Sequence, residues 1–487
     1  MNALVSVAQS RAISYPEDAP FHPHQRYSEL GFSDLSPKPN QVYDLVRLSL
    51  IQLGLDDKNS GDVRWSPFRN LIQPGETVFI KPNLIAESVQ NDPARWNFVI
   101  THGSILRPII DYIYKALSGE GKIIIGDGPQ TDSDMNLILN RSGIPSIQDW
   151  YWTQRRFEIQ FMDLRNEFWV NRDGVIVDAV KLPGDPRGNL IFNLGRESYF
   201  SECEQVKRTY YGAYYDTEET NRHHTDGKHE YLVCRTPIEA DVFINMPKLK
   251  THKKTGMTLN LKNLVGINAN KNWLPHYVLG SPETGGDQFD RRRLREKLEG
   301  SLVLKVKKIL SGKHKWAQSV ARKTRTLAYR AFGGSDDTIR SGNWHGNDTC
   351  WRMALDLNTI LLYGDVDGRL KRKESQKRCF SVVDGVIGMD GDGPRAGRPF
   401  PSGVVIAGRD PLSVDLVAAK LIGFAYQKIP ILCRAFDESP HPIWAFAYDD
   451  IPVISNEPLF NKTLKDINPA DTLHFRPHFA WKNHIEI

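Results

Sequence analysis

Apolar residues recur along this chain in short runs of three or four, each closed by an abrupt polar break. Val78-Phe79-Ile80, Lys122 to Ile125, Val242-Phe243-Ile244, Phe380 to Val383 and Val404 to Ile406 read as buried strands. Between them lie stretches with helical spacing. Gln41 to Leu55 forms one such stretch and stops at Gly54, Ser104 opens a second, Trp351 to Leu362 a third, and Ser413 starts a fourth. Strand and helix in alternation predict an α/β fold: a mostly parallel open sheet with helices on both faces. Residues 150–235 break the alternation with short β-like runs separated by Gly, Pro and Asn, so a β-rich insertion is expected there. Leu294, Leu298, Leu302, Val306 and Ile309 predict a basic helical insertion over about 291–340. The expected layout is an N-terminal wrap and helix over 1–60, a core over 61–430, and a C-terminal extension over 431–487 packing on it.

The breaks themselves are Lys81-Pro82-Asn83, Gly126-Asp127-Gly128-Pro129, Pro247-Lys248-Leu249-Lys250, Asp384-Gly385 and Arg409-Asp410-Pro411. Ligands of open parallel sheets sit outside the carboxyl ends of the strands, so these five corners are expected to converge on one crevice. Gly, Pro, Asn and Asp are also ordinary turn residues. The weight therefore rests on the five together.

The stretch from Ala240 to Asn268 concentrates the chemistry. After Pro247 ends the strand come Lys248, Lys250, His252, Lys253 and Lys254, then Lys262 and Asn263. Lys248 and Lys250, two apart, share a face of an extended segment. Cationic and amide donors at a sheet end suit a small anion, with Lys81, Asn83, Lys248, Lys262, Asn263 and His276 as binding groups. His252 is the candidate for proton transfer, and Lys250, Asp127 and Asp384 are the further catalytic candidates. Gly-Asp-Gly-Pro occurs at 126–129 and again at 391–394. Asp127, Asp390 and Asp392 are accordingly the candidate ligands of a divalent cation, magnesium or manganese. His223, His224, Asp226, His229 and Glu230 match no metal-ligand spacing, and a substrate loop or an acid/base role is expected of them.

These same motifs carry a resemblance. Pro247-Lys-Leu-Lys-Thr-His252 followed by Leu261-Lys-Asn263 is similar to the signature of the bacterial and archaeal domain of unknown function 362. Lys81-Pro-Asn83, Gly126-Asp127-Gly-Pro129, Asp384-Gly-Val-Ile-Gly388 and Asp410-Pro-Leu-Ser-Val-Asp415 extend the likeness over about Glu76 to Gly423. The resemblance implies the α/β fold and a biosynthetic setting, and leaves the reaction open. Some members of that family carry ferredoxin-type cysteine clusters. The five cysteines here are scattered with no C-x-x-C pair, so no iron–sulfur cluster is expected.

Composition changes this picture in one respect. The net charge is +5, yet Arg291 to Arg330 holds fourteen Lys and Arg against Glu296 and Glu299, a local net of +12. Segment 291–332 is therefore the candidate surface for an anionic membrane or an acidic protein. Nucleic acid is not expected, because stacking aromatics are sparse there. No run of ~18 apolar residues could span a bilayer. The N-terminus does not resemble a signal peptide, so a cytoplasmic protein, or one peripheral to the inner face of the membrane, is expected. Walker and dinucleotide glycine fingerprints are absent, and ATPase and simple dehydrogenase readings fall behind. The leading expectation is an enzyme acting on a small phosphorylated or carboxylated metabolite. The alternative is a scaffold protein recruited through the basic segment.

Overall fold

The computed structural model describes residues 3–11, 13–86, 95–172, 175–203, 208–212, 216–291, 339–371, 377–444, 446 and 450–487. Beyond Arg291, the basic segment, and with it the helical insertion expected there, lies outside the described residues.

The main sheet contains β1 (Val5–Gln9), β2 (Thr77–Pro82), β3 (Lys122–Asp127), β4 (Ile159–Asp163), β5 (Val242–Met246), β6 (Lys248–His252), β7 (Gly256–Thr258), β8 (Arg378–Asp390), β9 (Arg398–Phe400), β10 (Val404–Gly408) and β11 (Val453–Ser455). Its order is β11-β1-β10-β8-β5-β2-β3-β4. Strands β8, β5, β2, β3 and β4 run parallel, with Val242 opposite both Val78 and Arg378, and Val78 opposite Ile123. Their period-two alternation splits the core in two. Val78, Ile80, Ile123 and Ile125 face one side, with α1 (Gln41–Gln52) and α2 (Gly103–Ala116). Phe79, Ile124 and Phe243 face the other, with α5 (Cys350–Tyr363) and α6 (Pro411–Leu421). Helices α3 (Met135–Ser142) and α4 (Ile144–Arg155) lie between β3 and β4 in the chain. A strand covered on both faces needs apolar residues at every position, which is why these runs are continuous.

Three details depart from the sequence reading. Strand β10 runs antiparallel to β8, with Val383 opposite Ile406. Its exit therefore opens at the other rim, where the Asp410 carboxylate accepts the Ser413 N–H at 2.7 Å and caps α6. Asp410 thus leaves the expected crevice. Next, β8 does not break at Asp384 but runs on to Asp390, because β6 takes over from β5 beyond Pro247 and Lys248 lies opposite Asp384. Finally, the start of the chain is not only a wrap: β1 is buried within the sheet, antiparallel to β10.

The β-rich expectation for 150–235 is met by antiparallel pairs: Glu167–Arg172 with Val175–Lys181, Asn189–Asn193 with Glu230–Cys234, and Tyr210–Gly212 with Pro275–Val278. Strand β4 at Ile159–Asp163 belongs to the parallel sheet, so the insertion begins later than 150. At the chain's end, β11 pairs with β1 at the sheet edge.

Candidate functional site

Pro247 has no amide hydrogen to extend β5, and the chain re-enters the sheet as β6 against the prolonged β8. Gly256, at φ +75°, turns the backbone into β7, with His252 opposite Gly256. Trp481 packs over that glycine, and its indole N–H donates to Lys253 O at 2.8 Å. The helical turn Asn260–Asn263 is held from below. The Asp415 carboxylate of α6 accepts the Asn260 and Leu261 N–H groups, each at 3.0 Å. Burial pushes the Asp415 pKa up to about 7.

These elements and the ends of β2 and β3 enclose a cavity of about 310 Å³ lined by Asn83, Asp127, His252, Lys262, Asn263 and His276, among others. Six of the expected site residues therefore meet at the carboxyl rim. Lys253, Lys254 and Lys271 also line it, and the only other carboxylate among its lining residues is Asp132. A wider groove of about 840 Å³ starts from Thr77 and Lys122, at the amino ends of β2 and β3, away from this chemistry.

Four further expected residues, Lys81, Lys248, Lys250 and Asp384, lie behind the cavity's lining. Lys81 is fully buried, and its ammonium sits 2.6 Å from Asp127 Oδ1. Asp127 Oδ2 accepts the Leu84 N–H at 2.6 Å. Lys248 and Asp384 form a second fully buried pair at 2.9 Å, joined by the Tyr15 hydroxyl, which donates to Asp384, and by the His102 N–H at 2.9 Å. Lys250 donates to Asn83 Oδ1 at 2.6 Å and to Val99 O at 2.7 Å. Burial first, and then Lys248, hold its pKa well below the ordinary lysine value. Lys81, Lys248, Lys250 and Asp384, expected as binding and catalytic groups, are thus engaged by partners and are not among the residues that line the cavity. Asn263 ties floor to wall: its Oδ1 accepts from Asn83 at 3.1 Å and Lys81 at 3.3 Å, and its amide donates to Asn245 Oδ1 at 2.8 Å. Gly266 backs the Lys81–Asp127 pair so closely that a methyl group there would overlap Asp127 Oδ1.

Asp390 and Asp392 do not join Asp127. Asp390 faces Arg398 and Arg476, at 3.8 and 3.9 Å. Asp392 lines a different surface cavity, beside His478 and Phe479. Both Asp127 oxygens are already engaged by donors. Among the described residues, no group of three or more His, Cys, Asp or Glu side chains is placed to hold a metal ion. The expected magnesium or manganese set is therefore not assembled. In the histidine-rich loop, His223 stacks on Trp273 and pairs with Glu230 at 2.8 Å, while buried His224 bonds Trp273 O at 2.7 Å.

The electrostatics of the cavity are one-sided. Burial, followed by Lys262 and its neighbours, holds His252 and His276 well below the usual histidine pKa. Burial lowers Lys271 to about 7, against the opposing pull of Asp127. Its ammonium donates to Val265 O at 2.8 Å and to Asn268 O at 3.1 Å, and Lys254 donates to Ser341 O. Lys262 differs. It is 8% exposed, and among the described residues its ammonium has no hydrogen-bond or ion-pair partner.

Residues 197–420 match the family described as Domain of unknown function (DUF362). The resemblance read from the central motif is shown over those residues. The match begins later than Glu76, so Asn83 and Asp127 lie outside it, whereas His252, Lys262, Asn263, Lys271 and His276 lie within the matched residues. A thylakoid-associated protein of Synechocystis sp. is 23% identical over 197 residues, 40% of this chain and 40% of that protein. The chain thus spans two fifths of the length of this curated relative. A Thermotoga maritima protein of known crystal structure aligns over 77% of this chain and 58% of its own, at 10% identity and a TM-score of 0.32. Among the described residues no helix is long and apolar enough to cross a membrane.

Sequence reasoning passed over three contributors. Tyr15 sat in a stretch read as surface wrap, and Lys271 in a loop with no periodicity. Asp415 lies inside a quoted motif, but nothing in its spacing signalled that it would fix the Asn260 turn.

Proposed function

We propose that the cavity binds a small anionic metabolite, phosphorylated or carboxylated, as the substrate site of an enzyme. Lys262 carries the reading. A nearly buried ammonium without a partner is costly, and an anionic ligand is the group that would offset it. Lys254 and Lys271 add charge, and Asn83 and Asn263 offer amides already fixed by the floor. The direct test is calorimetric titration with inorganic phosphate, sulfate, sugar phosphates and short carboxylates. Saturable binding of one class supports the reading, and no heat from any of them overturns it.

A pH dependence follows from Lys271. A lysine with a pKa of about 7 is charged below that value and neutral above it. Sulfate stays dianionic across neutrality, and the two histidines are already uncharged there. Sulfate affinity is therefore expected to fall on raising the pH from 6 to 8, by up to about tenfold per unit above 7. Calorimetry at several pH values checks this; affinity that rises or stays flat removes Lys271 from the site.

A second reading has its own support in the +12 balance of Arg291 to Arg330 and in the thylakoid association that the Synechocystis relative's name records. Segment 291–332 would hold the protein against an anionic bilayer. Co-sedimentation is expected with phosphatidylglycerol vesicles at low salt, lost at high salt and on deletion of 291–332. A full-length chain that stays in the supernatant at low salt contradicts it.

A further inference from the structure

Two ring nitrogens define the chemistry this cavity could perform. His252 Nδ1 lies 3.1 Å from the backbone nitrogen of Lys254. The Thr255 hydroxyl, also 3.1 Å from Nδ1, can donate or accept, whereas an amide N–H can only donate; Nδ1 is therefore the acceptor and the neutral ring carries its proton on Nε2. His276 Nδ1 lies 2.8 Å from Leu274 O. A carbonyl can only accept, so here Nδ1 carries the proton and Nε2 is bare. Both rings line the same cavity as Lys262. One neutral imidazole thus has a hydrogen to give, and the other a lone pair.

We propose that His276 and His252 act as a matched base and hydrogen-bond donor that shift a proton on a carbon next to the carbonyl of a bound anion. The inference rests on the anion reading above and narrows the substrate to 2-oxo acids and keto or aldo sugar phosphates. In the step, the C–H bond breaks and its proton goes to His276 Nε2. The electron pair moves into the carbonyl, and the new enolate oxygen takes a hydrogen bond from His252 Nε2–H, which keeps its proton. The His276 imidazolium, whose proton can exchange with solvent, then returns a proton to the same carbon. Nothing is oxidised or reduced, and no co-reactant is consumed. A neutral imidazole is the better oxyanion donor because it polarises without surrendering its proton. The lysines that suppress protonation of His276 are offset once an anion binds beside them, so the base strengthens when the substrate arrives.

The experiment incubates the full-length protein in D₂O with pyruvate, dihydroxyacetone phosphate or fructose 6-phosphate, following deuterium at carbon by proton NMR and binding by calorimetry. Exchange into at least one bound probe is expected, falling by about 100-fold or more in His276→Gln, with the variant's circular dichroism spectrum and thermal midpoint matching the wild type. Probes that bind without exchange, or exchange that survives His276→Gln, overturn the inference and leave the anion reading standing. Failure of phosphate and every probe to bind overturns both. In ¹⁵N-histidine-labelled protein, long-range spectra should show His252 protonated on Nε2 and His276 on Nδ1. The same tautomer at both positions contradicts the pairing.

Discussion

Lys262→Met is expected to remove anion binding without harming the fold. The ammonium is 8% exposed with no partner among the described residues. A charge-assisted hydrogen bond is worth about 1.5–3 kcal/mol, so phosphate or sulfate affinity should fall roughly 10- to 100-fold. Methionine fills the same slender volume without a charge to desolvate. The unliganded variant should therefore match the wild type or exceed it by up to about 2 kcal/mol, the sign seen when buried charges give way to apolar groups. Calorimetry and urea denaturation on the same preparations separate the two effects. A variant that binds as before removes Lys262 from the site. One that loses stability shows that the ammonium has a structural partner.

Asp384→Ala should do the opposite. This carboxylate collects the Lys248 ammonium, the Tyr15 hydroxyl and the His102 N–H in a fully buried layer. Removing it strands a buried cation, a loss of about 3–5 kcal/mol. The double variant Lys248→Met/Asp384→Leu should recover much of that loss, because both charges leave together. Urea midpoints measure both. Were Asp384→Ala to keep its stability and lose ligand binding, Asp384 would belong to the site, as its sequence position suggested.

The contrast between these lysines marks what the sequence could reveal. Strands β2, β3, β5 and β8 were legible because burial on both faces demands unbroken apolar runs. Their polar ends announced the rim, and six of the candidate residues meet there. Sequence does not record strand direction, so Asp410 looked like another corner until β10 proved antiparallel. Nor does it tell a lysine that lines a cavity from one that supports it. Lys81 lies near the end of β2, Lys248 and Lys250 lie in β6, and Lys262 follows β7, but partners distant in sequence (Asp127, Tyr15, Asp384, Asn83) satisfy the first three. Repetition misled at Gly-Asp-Gly-Pro: Asp127 ends a parallel strand against Lys81, whereas Asp392 follows β8 on a surface turn beside His478. Tyr15 was invisible because a lone tyrosine in a Pro-rich stretch has no pattern to betray it.

Anomalous diffraction from crystals soaked in tungstate, an anion that scatters strongly, tests the anion site most directly. A peak is expected inside the 310 Å³ cavity, with an oxyanion about 2.7–3.0 Å from the Lys262 ammonium. Ordered tungstate found only at other surfaces, with this cavity filled by water, would contradict it.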